Sequence, residues 1–288
     1  MLLCRLTFDF KREVLDQNER EDLTELALSY MVTLLKEGRI WGRDYQYAWQ
    51  EDRLLFYFYL PTAEDFQWDH PNEASRKSAH KLAENLCRPP EFQVVGQRQE
   101  PPEMHWRDAA SLVLCTDFID YRSPLKHGET GMPIPLAWLP IHHFKKDNIF
   151  LWAAEYRAHD KVFIGSGELE LPAYKQMADP ASSLCQIGRG LCTLIEEHTE
   201  IPTFFYLYKY WGYPDQREWV CPSCGGPFQV AGRESVVGHF SGEIAEPPSF
   251  WDFPFRCLPC RLVSQTPVDV DGRRAHIGTF PGSRSKKA

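Results

Sequence analysis

The chain has 288 residues, of which 43% are apolar and 25% charged, so it can bury a substantial core and is not intrinsically disordered. The formal net charge of −8 is unevenly distributed. Residues 1–215 hold 23 basic and 33 acidic side chains, a net charge of −10, whereas residues 216–288 hold 9 and 7, a net charge of +2. Most of the chain therefore lacks the basic footprint that is typical of nucleic-acid-binding proteins.

The sequence contains no apolar run that approaches the roughly 18 residues of a membrane span. Its first ten residues, MLLCRLTFDF, lack the basic segment and the long apolar segment of a signal peptide. We therefore expect a cytoplasmic protein without a membrane partner, in which thiols stay reduced.

The first 98 residues switch between the period of a strand and the period of a helix. Glu51 and Asp52 form a short turn between two strands, and Asn72 is a candidate N-cap. The predicted strands cover 2–10, 44–50, 53–60 and 91–97, and the predicted helices cover 17–37 and 72–87. The resulting order, β-α-β-β-α-β, predicts a ferredoxin-like α+β domain over residues 1–98.

A linker over 98–106 separates this domain from a second α+β unit, which we place at residues 107–215. Its predicted strands lie near 110–117, 134–139, 148–157, 161–168 and 202–210, and its predicted helix covers 180–198. The helix ends in EEHTE (196–200), which is typical of a solvated helix end. The aromatic run of the last strand, with Tyr206, Tyr208 and Tyr210 around Lys209, favours core packing; base stacking is the alternative.

Two C-x-x-C pairs near the end of the chain predict a metal centre. Cys221 and Cys224 are followed by Gly225 and Gly226, which let the backbone turn so that amide groups can face the sulfur atoms. With Cys257 and Cys260 the pairs offer the four tetrahedral ligands that Zn²⁺ prefers. We therefore predict one structural Zn²⁺ in a zinc ribbon over residues 216–281, followed by a basic tail over 282–288.

Alternatives to this centre are two unrelated metal-free turns, disulfide pairing, and His239 in place of one cysteine. Four thiolates around one Zn²⁺ leave a charge of −2, which Arg256 and Arg261 could offset. A site with four protein ligands has no open position for water, so it predicts a structural rather than a catalytic metal. The remaining cysteines of the strands and helices are expected in the core: Cys4, Cys115, Cys185 and Cys192.

No motif for catalysis stands out from the sequence: the chain has neither a phosphate-binding P-loop nor a G-x-S-x-G nucleophile turn. The strand at 53–60 occupies the place where an RNA-recognition motif has its RNP1 sequence, but the basic residue and glycines of that signature are missing. We therefore predict a protein that is not an enzyme and not an RNA-recognition motif.

The segments YLYKYWGYPDQREWVCPSCGG (206–226) and FRCLPCRLVS (255–264) resemble a bacterial family, domain of unknown function 2310, described as zinc-ribbon-containing with a suggested nucleic-acid-binding role. The resemblance implies the same four cysteines as ligands. Some members resemble immunity proteins encoded beside polymorphic toxins of the Rhs type.

Taken together, these features predict a non-enzymatic protein that binds another macromolecule. The favoured partner is a protein toxin that acts on nucleic acid or nucleotides, which the chain would bind and occlude as an immunity protein. The alternative is a regulatory protein that binds nucleic acid through the ribbon and tail. In that case the phosphate contacts would come from Arg273, Arg274, Arg284, Lys286 and Lys287.

Overall fold

The computed structural model of the chain describes residues 1–11, 16–40, 45–68, 73–97, 104–120, 122–212, 220–228 and 253–267. The linker at 98–103, Asn72, His239 and the tail residues named above lie outside them. The chain is α+β and divides into two compact units. The first comprises Met1–His105, Tyr121–Ser123 and Ile134–Phe150, and the second Trp106–Asp120, Pro124–Pro133 and Leu151–Ala288.

The first unit contains a four-stranded antiparallel sheet with the strand order β2-β3-β1-β4. The elements follow the predicted order β-α-β-β-α-β. Their bounds are β1 Leu2–Asp9, α1 Gln17–Lys36, β2 Gln46–Gln50, β3 Arg53–Leu60, α2 Glu73–Ala83 and β4 Glu91–Gln97. Glu51, with a φ of 57°, and Asp52 form the predicted turn between β2 and β3.

The core of this unit follows from the alternation of the strands. Phe8 of β1 and Phe56 of β3 are fully buried, as is Tyr30 of α1. The rings of Phe8 and Phe56 pack edge to face with centroids 5.8 Å apart. Helix α1 begins at a capping box, in which the Asp16 side chain accepts from the Glu19 N–H at 2.8 Å and the Glu19 carboxylate accepts from the Asp16 N–H.

The second unit contains a five-stranded mixed sheet in the order β6-β5-β7-β9-β8, in which β5, β7 and β9 are parallel. The two outer strands, β6 and β8, are antiparallel to their neighbours. The strand bounds are β5 Leu112–Leu114, β6 Leu125–His127, β7 Thr203–Tyr206, β8 Phe255–Cys257 and β9 Leu262–Ser264. The helices are α3 His143–Gly165, which enters this unit at Leu151, α4 Glu170–Ala178 and α5 Ser183–Thr199.

The strands predicted at 148–157 and 161–168 are wrong, because residues 148–157 and 161–165 belong to helix α3 and residues 166–168 form the turn after it. The predicted strand at 134–139 is a short 3₁₀ helix over Leu136–Trp138. The physical reason for α3 is its spacing of buried side chains, which recur every three or four residues at Ile149, Trp152, Ala153, Tyr156, Asp160 and Phe163. Short apolar runs inside that pattern imitate buried strands.

Helix α5 packs closely against β7 because Gly188 lacks a side chain. A Cβ atom placed at Gly188 would lie 2.2 Å from a ring carbon of Phe205 and 2.9 Å from the indole nitrogen of Trp152. Both aromatic side chains are buried, so neither can easily move away. A Cβ atom at Gly190, two residues further along the same helix, would meet nothing within 4 Å. Within the described residues, no helix is both long enough and apolar enough to cross a bilayer.

These two glycines provide a matched pair for testing the helix packing. We expect Gly188→Ala to lower the free energy of unfolding by about 1–3 kcal/mol, because the added methyl group overpacks the Phe205 ring. Gly190→Ala should raise it by about 0.5–1 kcal/mol, because alanine is the better helix former and meets no obstacle. Urea denaturation of the three proteins tests this, and a destabilised Gly190→Ala would contradict the packing described here.

Candidate metal centre

The first cysteine pair lies in a tight turn that directs backbone amides at the sulfur atoms. Gly225 adopts a φ of 71°, and its N–H donates to the Cys221 carbonyl at 2.9 Å. The Cys221 N–H donates to the Gly226 carbonyl at 2.7 Å. The Cys221 sulfur accepts from the backbone N–H groups of Cys224 and Ser223, and the Cys224 sulfur accepts from that of Gly226. Such amides stabilise thiolates.

The second pair repeats this conformation between β8 and β9. Cys257 is the last residue of β8, and its sulfur accepts from the Cys260 backbone N–H. Arg261 follows the second cysteine, as Gly225 does in the first pair, and has a φ of 52°. The left-handed conformation costs a residue with a side chain about 1 kcal/mol, so the turn is imposed by its surroundings.

The two turns bring four sulfur atoms together. The Sγ atoms of the ligands predicted from the spacing all lie within 4.8 Å of one another: Cys221, Cys224, Cys257 and Cys260. The Cys224 and Cys257 sulfurs are 3.6 Å apart, and none of the four cysteines is in a disulfide. A tetrahedron with metal–sulfur bonds of about 2.3 Å has sulfur–sulfur edges of about 3.8 Å. The cluster therefore has the donors and the size to hold a metal ion.

The pKa values of the thiols in the cluster are shifted in different directions. The hydrogen bond from the Gly226 N–H, with those from neighbouring thiols, lowers the pKa of the exposed Cys224 thiol to about 7. Burial raises the pKa of the Cys221 and Cys257 thiols. Four thiolates in one place repel each other, so full deprotonation of the cluster depends on a bound positive charge.

An ion pair ties the second turn to helix α5. The Arg261 guanidinium donates to the Glu196 carboxylate twice, from Nη2 to Oε1 at 2.8 Å and from Nε to Oε2 at 3.1 Å. Glu196 Oε2 also accepts from the Thr203 N–H at 3.1 Å. Burial raises the pKa of Glu196, but these hydrogen bonds and the Arg261 charge outweigh it and hold the pKa below its ordinary value.

This ion pair changes two predictions. Arg261, predicted to offset the thiolate charge, is already neutralised by a carboxylate. Glu196, predicted as part of a solvated helix end, is the partner that fixes this arginine. The sequence carried no signal for the pair, because its members are 65 residues apart.

A second polar cluster is formed by the loop after β5, by β6 and by α3. The buried Lys126 ammonium donates to the Asp120 carboxylate at 2.6 Å. The buried Arg157 donates through Nε to the Thr116 hydroxyl at 3.0 Å and to the Asp120 carbonyl at 2.9 Å. These bonds hold the loop that follows the carboxyl end of a parallel strand, where α/β sheets place ligand sites.

Asp160, on α3 in the same region, has a buried carboxylate oxygen without a hydrogen-bond partner among the described residues. Its side chain is 3% exposed; Oδ2 accepts from the Phe118 N–H at 2.8 Å, while Oδ1 is buried without a hydrogen-bond partner in the described residues. Burial raises the pKa of Asp160 to about 6, against the Phe118 hydrogen bond and helped by the charge of Asp117. Sequence reasoning missed it because α3 was assigned to strands, although the helical spacing that includes Asp160 was a usable signal.

The aromatic run around β7 and four further cysteines were predicted to lie in the core. In the aromatic run, Phe204, Phe205, Tyr206 and Trp211 are buried, and so is Lys209, whose ammonium lies 3.9 Å from the centre of the Phe255 ring. Core packing is thus confirmed for Tyr206 and Lys209, which are not available to stack bases, whereas Tyr208 and Tyr210 are half-buried. The cysteines predicted in the core are also buried, namely Cys4, Cys115, Cys185 and Cys192.

Comparison with known proteins identifies the family. Residues 107–208 match the model of a domain of unknown function, DUF2310. Two uncharacterized proteins of Haemophilus influenzae are each 30% identical over 182 residues, 60% of this chain; the alignments cover 80% and 62% of those proteins. The chain belongs to this DUF2310 family, and it spans less than two thirds of the second relative.

Two solved structures also match a part of the chain. One is a conserved protein from Methanosarcina mazei, with a TM-score of 0.26 and 15% identity over 34% of this chain and 95% of that protein. The other is from Mycobacterium tuberculosis, with a TM-score of 0.24 and 12% identity over 35% of this chain and 98% of that protein. TM-scores at this level do not establish a shared fold.

The buried Asp160 carboxyl predicts how stability changes with pH. Because its pKa in the folded chain is about 6 and its ordinary value is 3.8, the folded state holds the proton more tightly, so stability falls as pH rises between these values. Asp160→Asn removes this decline and keeps an acceptor for Phe118. We expect it to raise the free energy of unfolding at pH 7 by about 1–3 kcal/mol.

Urea denaturation at pH 4, 5, 6 and 7 measures this effect. The control is Glu155→Gln, a substitution of an exposed carboxylate on the same helix, which should leave the pH profile of the wild type in place. A wild-type profile that is flat from pH 4 to 6, or one that Asp160→Asn does not change, would disprove the assignment.

Proposed function

We propose that the four cysteines hold one structural Zn²⁺ and that the chain is a non-enzymatic protein that binds and occludes a toxin. The observation that carries the first part is the cluster of four sulfurs in two amide-lined turns. Zn²⁺ is the metal that such a tetrahedral all-thiolate set prefers, and four protein ligands leave no position for substrate or water.

The role of the metal follows from the elements that carry its ligands. Cys257 lies in β8 and Cys260 directly before Arg261 and β9, while Cys221 and Cys224 come from a separate segment over 220–228. Strands β8 and β9 have three residues each, too few for a stable hairpin by themselves. A bound Zn²⁺ would cross-link these segments and supply folding free energy directly.

Metal content and stability test this part. Purified protein should contain about one zinc per chain by elemental analysis, and Cys221→Ser should lose most of it, because three thiolates bind zinc more weakly than four. The variant should also lose the cooperative unfolding of the second unit while the first unit stays folded. Cys87→Ser, a change at an exposed cysteine outside the cluster, should retain the zinc. Zinc-free wild-type protein would refute the proposal.

The proposal of a toxin as partner is based on the acidic net charge of most of the chain. Residues 1–215 carry a net charge of −10, and toxins that act on nucleic acid or nucleotides present basic clefts. Complementary potentials speed association and discriminate between partners. The exposed face of α1 contributes to this acidic surface with Glu21, Asp22 and Glu25. The exposed aromatic residues Tyr47 and Tyr57 are candidates for the buried anchors that tight binding also requires.

Nucleic-acid binding is the alternative function, and the net charge of +2 over residues 216–288 is the observation in its favour. Its predicted contacts lie outside the described residues. If it holds, affinity for duplex DNA should fall with salt with a log–log slope of about −0.9 per phosphate contact. Gel shifts at low salt that show no complex with DNA or RNA would rule it out.

Co-expression tests the favoured partner. Toxins encoded beside this gene should arrest growth when expressed alone, and the full chain should restore growth and co-purify with one of them. Neutralising Glu21, Asp22 and Glu25 together to their amides should slow association several-fold at low salt, because it weakens the attraction to a basic cleft. The matched control neutralises the exposed Lys77 and Lys81 of α2 and should not slow it. Failure to bind or neutralise any toxic neighbour would refute the immunity role.

A further inference from the structure

A groove of about 360 Å³ lies beside the second cysteine turn, and no predicted function uses it. Its lining comes from α5, which contributes Arg189, Thr193 and Glu196, from β7, which contributes Phe205, and from the turn itself, which contributes Pro259, Cys260 and Arg261. This volume is in the range of small-molecule sites.

The two arginines that line this groove are in different states. Arg261 is engaged by Glu196 in the two hydrogen bonds described above. The Arg189 guanidinium has no hydrogen bond and no ion pair within the part of the chain that the structure describes. A guanidinium carries five N–H donors in a planar fork that matches the oxygens of a carboxylate or a phosphate. The groove therefore presents one positive charge that no carboxylate of the described residues balances.

The sequence of α5 places further polar groups around this charge. Gln186, Arg189 and Thr193 follow each other at intervals of three and four residues, so they share one face of the helix. All three line the groove, together with Gly190. A Cβ atom at Gly190 would meet nothing within 4 Å, so this glycine leaves the wall of the groove open beside Arg189 in the helix.

The ordinary explanation for an unpaired arginine is a solvated surface side chain. Arg189 differs from that case because it is only partly exposed and stands in a groove instead of on a convex surface. Cys260 borders the same groove, and a thiolate there would repel an anion. An anion in the groove would therefore lie on the α5 side, against Arg189, Gln186 and Thr193.

We propose that this groove binds a small molecule bearing an oxyanion, either a carboxylate or a phosphate, with Arg189 as the residue that contacts the anionic group. The site is independent of the partner proposed above, because its ligand is a small anion and its lining lies on α5, β7 and the second cysteine turn. Arg189 donates charge-assisted hydrogen bonds to the oxyanion. Gly190 provides the space that the ligand occupies.

The test uses the zinc-replete full chain and two probes, inorganic phosphate and acetate, titrated at constant ionic strength against sodium chloride. The Nε–Hε resonance of Arg189, assigned from its loss in Arg189→Gln, is followed by NMR. We expect a saturable shift with at least one probe in the millimolar range, and the tighter probe identifies the anionic group. The shift should weaken by about tenfold or more in Gly190→Leu, which fills the groove.

The matched control is Gly165→Leu, because a Cβ atom at Gly165 also meets nothing within 4 Å and this glycine lies on α3, outside the groove. It should bind the probes as the wild type does. Absence of a saturable shift with both probes would overturn the proposal, and so would binding that Gly190→Leu leaves unchanged. Either result would leave the toxin and zinc proposals unaffected, since neither uses these probes.

Discussion

The parallel pairing of β7 with β9 is the interaction on which the second unit depends. The Phe205 N–H donates to the Arg261 carbonyl and the Leu207 N–H to the Val263 carbonyl, both at 2.8 Å. This pairing joins the cysteine region to the sheet that begins with β5, and it brings Arg261 within reach of Glu196. The cysteine turn is therefore an extension of the sheet, and the described residues 220–228 and 253–267 fall in the same compact unit as β5 and β7.

The second cysteine turn and the polar loop after β5 lie at opposite ends of the parallel strands. The second cysteine turn precedes β9, so it lies at the amino end of the parallel strands, where Thr203 begins β7. The loop held by Arg157 and Asp160 follows β5, so it lies at the carboxyl end. Parallel sheets place ligand sites at their carboxyl ends. The four cysteines cluster at the opposite end, so a metal bound there would suit the structural role proposed above better than a role in substrate chemistry.

Local signals in the sequence were enough to predict the fold of the first unit and the grouping of the four cysteines. The first unit could be predicted because its strands alternate and its helices repeat at 3.6 residues, and the cluster of four cysteines because both C-x-x-C turns are local. The rest depends on contacts that are distant in sequence. The pairing of β7 with β9, and with it the ion pair of Glu196 and Arg261, left no local trace. Helix α3 was mistaken because its apolar runs satisfied the strand pattern over short windows.

The buried charged groups could not be predicted from the sequence either, because their surroundings come from residues that are distant along the chain. The aromatic run predicted core packing around Lys209, but not the partner of its ammonium, which is buried against the ring of Phe255, a residue 46 positions away on β8. Asp160 keeps a buried carboxylate oxygen without a partner, which costs stability at neutral pH. Charged side chains are usually exposed or fully paired, and buried exceptions such as Asp160 concentrate at functional sites. The carboxyl end of this sheet therefore combines an ordered loop, two buried cations and one buried carboxylate oxygen without a partner, whereas the amino end holds the cluster of four cysteines.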